Sequence, residues 1–78
     1  MNHVLKTIPP FFQDVIDGKK TFEYRKNDRD FRVDDTLELR EYLPFDDEYT
    51  RRYTKVKITY ILKDTPLIPD GYCIMSIV

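Results

Sequence analysis

The string Gly18-Lys19-Lys20-Thr21-Phe22-Glu23-Tyr24-Arg25 gathers the side chains of this sequence best suited to chemistry. Residues two apart on a strand share a face, so Glu23 and Arg25 can hold each other in a charge-assisted pair, with Lys20 beside the bend that Gly18 permits. A lysine at the mouth of a cleft, an arginine fork and a carboxylate acceptor suit the phosphate and base edge of a nucleotide, provided the strand is single and its base splayed out. Aromatic rings can stack such a base, and Tyr24, Phe31, Tyr49 and Tyr53 are the candidates. Alternation turns Tyr24 into the core with Phe22, which leaves Phe31 and Tyr53 as the better rings. On spacing alone, a Glu and an Arg two apart on a strand describe a solvated ion pair contributing ~0–1 kcal/mol.

The elements that must position these groups are legible from periodicity. His3 to Ile8 reads as a short strand, after which Pro9-Pro10 opens a helix at its first turn. Phe11, Phe12, Val15 and Ile16 share one helical face, and Gly18 suits a left-handed cap after Asp17. Thr21 to Arg25 alternates, with Phe22 and Tyr24 expected to pack and Thr21, Glu23 and Arg25 expected to present charge. Asn27 to Asp35 is polar around Phe31 and Val33 and reads as an ordered loop anchored by those two side chains. Thr36 to Leu43 alternates with Leu37, Leu39 and Leu43 on one face, followed by an acidic turn from Pro44 to Glu48, which implies a hairpin. Tyr53 to Leu62 is the longest strand candidate, with Val56, Ile58, Tyr60 and Leu62 on one side and Lys55, Lys57 and Thr59 on the other. Tyr72 to Val78 is almost wholly apolar and is expected to be covered on both faces. Five strand candidates and one early helix, without repeat or linker, make a single α+β domain over residues 1–78 with a mixed sheet curled toward a barrel.

Composition limits the function classes. The 78 residues are 41% hydrophobic and 35% charged, and so small a chain must draw its stability from a few dense apolar strands. No stretch approaches the ~20 apolar residues of a membrane span and the N-terminus lacks a signal-peptide core, so a cytoplasmic location is expected. The one cysteine, Cys73, cannot form an internal disulfide or a paired-cysteine zinc site, and within Tyr72-Cys73-Ile74-Met75 its expected role is packing. His3, the one histidine, is expected at the surface, and neither a metal nor a cofactor is implied. The net charge of −1 conceals segregation. Lys19 to Arg32 holds six basic and three acidic residues, Asp34 to Glu48 one and seven, and Arg51 to Lys63 five and none. If the two basic segments lie together they form a positive face, although Arg51, Arg52, Lys55 and Lys57 are by default a solvated strand surface.

The G-x-K-x-x-E-x-R string from Gly18 to Arg25 resembles the signature of the activating-signal-cointegrator homology (ASCH) domains of the PUA-like superfamily. The resemblance extends to His3-Val4-Leu5-Lys6, to Asn27-Asp28-Arg29-Asp30-Phe31 with Val33-Asp34-Asp35, to Thr59-Tyr60-Ile61-Leu62 and to Asp70-Gly71-Tyr72, nearly the whole chain. It is nearest to the compact ASCH-like proteins of bacteria and phages. What it implies is a small PUA-like mixed β-barrel with one helix flanking a cleft, and binding of RNA or a nucleotide-like ligand. Lys20, Glu23, Arg25, Arg29, Phe31 and Tyr53 are the expected ligand-binding residues. Asp34 stands where glycine is expected in relatives, and aspartate tolerates the left-handed turn better than most residues.

Two other functions are compatible with the sequence. Some small bacterial ASCH proteins are amidohydrolases that deacetylate an acetylated cytidine with a threonine three residues after the lysine, a position that Glu23 takes here. A carboxylate cannot replace a lysine-activated hydroxyl without a change of mechanism, although a Lys20–Glu23 pair could still perform acid–base work if burial tuned it. Alternatively, the acidic hairpin from Asp46 to Glu48 could dock a basic protein partner.

Overall fold

Six elements succeed one another along residues 1–78, all described by the computed structural model: β1 (Asn2–Thr7), α1 (Phe11–Ile16), β2 (Phe22–Lys26), β3 (Thr36–Leu43), β4 (Glu48–Leu62) and β5 (Tyr72–Ile77). The five strands form one mixed sheet in the order β1-β3-β4-β5-β2, parallel between β1 and β3 and antiparallel elsewhere. β1 and β2 are its two edges and do not pair, so the sheet stays open. The 15-residue β4 is shared: Glu48 to Lys57 lie against β3 and Ile58 to Leu62 against β5. The helix α1 is the sole helix, and no helix is long and apolar enough to cross a membrane.

The core follows from period-2 alternation. Leu5, Leu37, Leu39, Ile58, Cys73, Met75 and Ile77 project from one side of the sheet and bury together with Phe31, while Val15 of α1 packs against them. Phe12 of α1 is also buried. Cys73 is a fully buried free thiol, as its apolar run suggests, and burial raises its pKa.

Local chemistry ends α1 where the sequence implies. Gly18 takes φ +73°, open to glycine without steric cost, and the chain turns back so that the amides of Lys19 and Lys20 both donate to the Asp14 carbonyl, at 2.9 and 3.0 Å. Carbonyls left over at the helix end are thereby satisfied, and the Lys20 backbone is fixed against α1. Asp34 adopts φ +77°, so the aspartate does sustain the left-handed turn.

Several expectations are corrected. Phe22 and Tyr24 do not pack inward: they are about half exposed, and Glu23 between them is buried. The register explains the inversion, because Glu23 lies opposite Met75 and Arg25 opposite Cys73, and cross-strand partners share a face. Tyr60 is exposed because β4 shifts register between Ile58 and Tyr60, and Ile61 packs in its place. Only one face of β5 is fully covered, since Tyr72 and Ser76 are exposed. Val33 is half exposed and lies outside the core cluster, whereas Phe31 is 1% exposed and belongs to it. The buried face of β3 continues from Leu39 into Glu41, whose carboxylate accepts from Thr50 Oγ1 at 2.9 Å and faces Arg52 at 3.6 Å. The two basic segments are kept apart, because β5 runs between β2 and β4.

His3 is buried as well. Its Nε2 lies 2.8 Å from Asp35 Oδ2 and its ring meets Phe31 edge-on, with centroids 4.9 Å apart. Asp35 also accepts from the Met1 ammonium and from the Arg32 amide, each at 3.1 Å. The His3 hydrogen bond is the main reason its carboxyl sits at about 2 instead of 3.8, with burial opposing and the terminal ammonium assisting.

Candidate functional site

The open seam between the two edge strands is where the motif converges. Strand pairing uses the backbone of alternate residues, so the carbonyls of Val4 and Lys6 point away from β3 toward β2. Two arginines occupy them: Arg25 Nη2 donates to Lys6 O at 2.9 Å and Arg29 Nη1 to Val4 O at 2.7 Å. Arg25 also reaches the buried Thr7 hydroxyl at 3.3 Å. Side chains therefore bridge a seam that no backbone ladder closes.

Glu23 lies at the centre of this seam, 2% exposed. Its Oε1 accepts from Arg25 Nε at 3.0 Å and Nη2 at 2.8 Å, while its Oε2 accepts from Lys20 Nζ. Lys20 Nζ also donates to the Phe22 carbonyl at 2.7 Å and lies 5.0 Å from the centre of the Phe22 ring. Every buried side-chain nitrogen and oxygen is hydrogen-bonded. Lys20 and Arg25 keep 17% and 26% of their side chains exposed, so the carboxylate is hidden while its two cations retain partial access to solvent. That is the arrangement a buried charge requires, with geometry good enough to offset desolvation.

Above this triad runs a groove of about 480 Å³ between the end of β1, the start of α1 and β2. Its charged lining is Lys6, Lys20 and Arg25 against the single carboxylate of Glu23. Its rings are Phe11, Phe22 and Tyr24, all 46–49% exposed. A concavity with excess positive charge and exposed aromatic edges can take a planar, anionic molecule. Both oxygens of the Glu23 carboxylate are engaged by these cations, Oε1 by Arg25 and Oε2 by Lys20.

Three of the six residues expected from the sequence, Lys20, Glu23 and Arg25, meet in the groove. The other three do not join them. Arg29 clips the edge of β1 outside the groove lining, Phe31 is sealed in the core with no face left for a base, and Tyr53 stands 61% exposed on β4 in a separate concavity with Tyr49. The groove rings are instead Phe22 and Tyr24, assigned inward by alternation, and Phe11, assigned to the packed helix face. Alternation does put charge on one face of β2 and rings on the other; which face turns inward follows only from the pairing with β5.

No curated protein matches the chain. Residues 2–77 match a family described as a domain of unknown function, DUF3850, and since that match spans essentially every element from β1 to β5, the chain belongs to the DUF3850 family.

Proposed function

We propose that this protein binds single-stranded RNA, or a nucleotide-like ligand, in the groove between α1 and the β1–β2 seam, as an ASCH-like member of the PUA-like superfamily. The observation that carries this reading is the Lys20–Glu23–Arg25 triad beside exposed rings: two partly exposed cations in the lining of a groove, held in place by a buried carboxylate. With Arg25 Nε and Nη2 engaged within the protein, its Nη1 is left for a phosphate or a base edge; Lys20 adds a second point of positive charge, and Phe22 or Tyr24 offers a stacking face for one extruded base. The barrel-like closure expected of a PUA-like domain is supported by the Arg25 and Arg29 bridges from the β2 side to the free edge of β1.

The test is fluorescence anisotropy of short labelled single-stranded RNAs against the wild type and Lys20→Ala, at low and near-physiological salt. Binding that falls with salt and weakens about tenfold or more in the variant is expected, while equal affinity for both proteins, or none for either, overturns the assignment.

A further inference from the structure

The outer face of the sheet, opposite the core, carries a second concentration of cations and rings. Register places its side chains in rows across β1, β3 and β4: Lys6 beside Arg40 beside Tyr53, and Val4 beside Glu38 beside Lys55. A third row ends in Lys57, opposite Thr36. Cross-strand neighbours on one face stand roughly 5 Å apart, so these are contiguous surfaces. Glu38 is the one carboxylate in the rows, and Arg40 neutralises it through Nε at 2.7 Å and Nη2 at 2.6 Å. At the far end a concavity of about 410 Å³ is lined by Arg40, Arg51, Arg52, Tyr49 and Tyr53 with Glu38. Tyr49 and Tyr53 are 46% and 61% exposed.

This face is continuous with the groove. Lys6 lines the groove and heads the row that leads through Arg40 to Tyr53, with its Nζ resting 4.3 Å over the Tyr42 ring. The acidic residues of the hairpin tip, Asp46 and Asp47, lie beyond the end of β3 and outside these rows, and Asp47 borders the track only through the Tyr42 hydroxyl, from which it accepts. A net charge of −1 is thus compatible with a positive track.

We infer that the outer face of β1, β3 and β4 is a second nucleic-acid surface, which takes the phosphates and bases flanking the nucleotide held in the groove, so that the ligand is a single-stranded RNA several nucleotides long. The inference rests on the groove reading and extends it. Lys6, Arg40, Lys55 and Lys57 contact phosphates, and Tyr53, with Tyr49 behind it, stacks a base beyond the groove. Stacking on an exposed ring and charge along a sheet are the sequence-tolerant means by which β surfaces hold single strands.

The test compares a labelled trinucleotide with a labelled 12-mer, both oligouridine, by anisotropy over a salt series. The proteins are the wild type, Lys20→Ala and the triple variant Arg40→Gln/Tyr53→Ser/Lys55→Gln. Wild type is expected to hold the 12-mer at least about tenfold tighter than the trinucleotide. The triple variant should remove that advantage, flatten the salt slope by about 1.4 for its two lost cations, and bind the trinucleotide as wild type does. A triple variant that binds the 12-mer like wild type, while Lys20→Ala weakens it, overturns the outer track and leaves the groove standing. Equal wild-type affinity for both lengths also overturns the track. Loss in the triple variant with none in Lys20→Ala supports the track as an RNA surface and overturns the groove assignment, and absence of any RNA binding overturns both. If thermal melting shows that the triple variant does not fold, Lys55→Glu/Lys57→Glu serves instead, with a larger expected loss for the 12-mer from charge reversal.

Discussion

Glu23 of β2 and Asp35, just before β3, are carboxylates at 2% and 7% exposure, and each accepts hydrogen bonds from more than one donor. Their surroundings differ in one respect. The partners of Glu23 are long cationic side chains that continue past it into a groove. Asp35 is held instead by the buried ring of His3, a backbone amide of its own turn and the terminal ammonium, tying the start of β1 to the start of β3. The carboxylate of Glu23 fixes two cations in the lining of a groove; the carboxylate of Asp35 ties the starts of two strands together. Burial of a charge therefore does not identify a site by itself. What distinguishes the two is whether the compensating charges line a groove, as Lys20 and Arg25 do.

The largest expected effect separates them by stability. Asp35→Ala strands His3 without its partner and frees the Arg32 amide, so a loss of ~3 kcal/mol is expected in urea unfolding, with RNA affinity of the folded protein unchanged. Glu23→Gln should cost less, ~1–2 kcal/mol, since Lys20 and Arg25 can turn to water, but it should alter RNA affinity because their placement is lost. A reversed order of the two stability losses would break the comparison.

A pH series sharpens it further. The Asp35 carboxyl lies below its unfolded value, so the stability it contributes is complete above the ordinary 3.8 and is lost as pH falls from there through about 2. Melting temperatures of wild type and Asp35→Asn should thus converge as the pH drops from 5 toward 2, and parallel curves would remove Asp35 from its assigned role.

The smallest effect concerns the acidic turn at the far end of the β3–β4 hairpin, which belongs to neither cluster. Neutralising Asp46, Asp47 and Glu48 to their amides should leave RNA affinity unchanged or raise it by about twofold, through reduced repulsion. A marked loss would mean that ligand contacts extend to the hairpin tip.

The sequence by itself determined the number and order of the elements. Alternation marks β2, β3 and the second part of β4, Pro9-Pro10 and Gly18 bracket the helix, and the apolar run around Cys73 identifies a core strand, because these signals depend only on a residue and its near neighbours. It also brought Lys20, Glu23 and Arg25 together, since they are close in the chain. Only the tertiary structure decided which face of each strand turns inward. A period of two defines two faces without ranking them, and in β2 the ranking was set by pairing with β5 and by cations able to neutralise Glu23 in place. The same dependence on distant partners buried His3 on Asp35 and Phe31 against His3, and the register shift in β4 turned Tyr60 outward. The groove itself exists because two edge strands separated along the chain by α1 come to face each other across a seam, a relation that long-range packing creates and that no local pattern encodes.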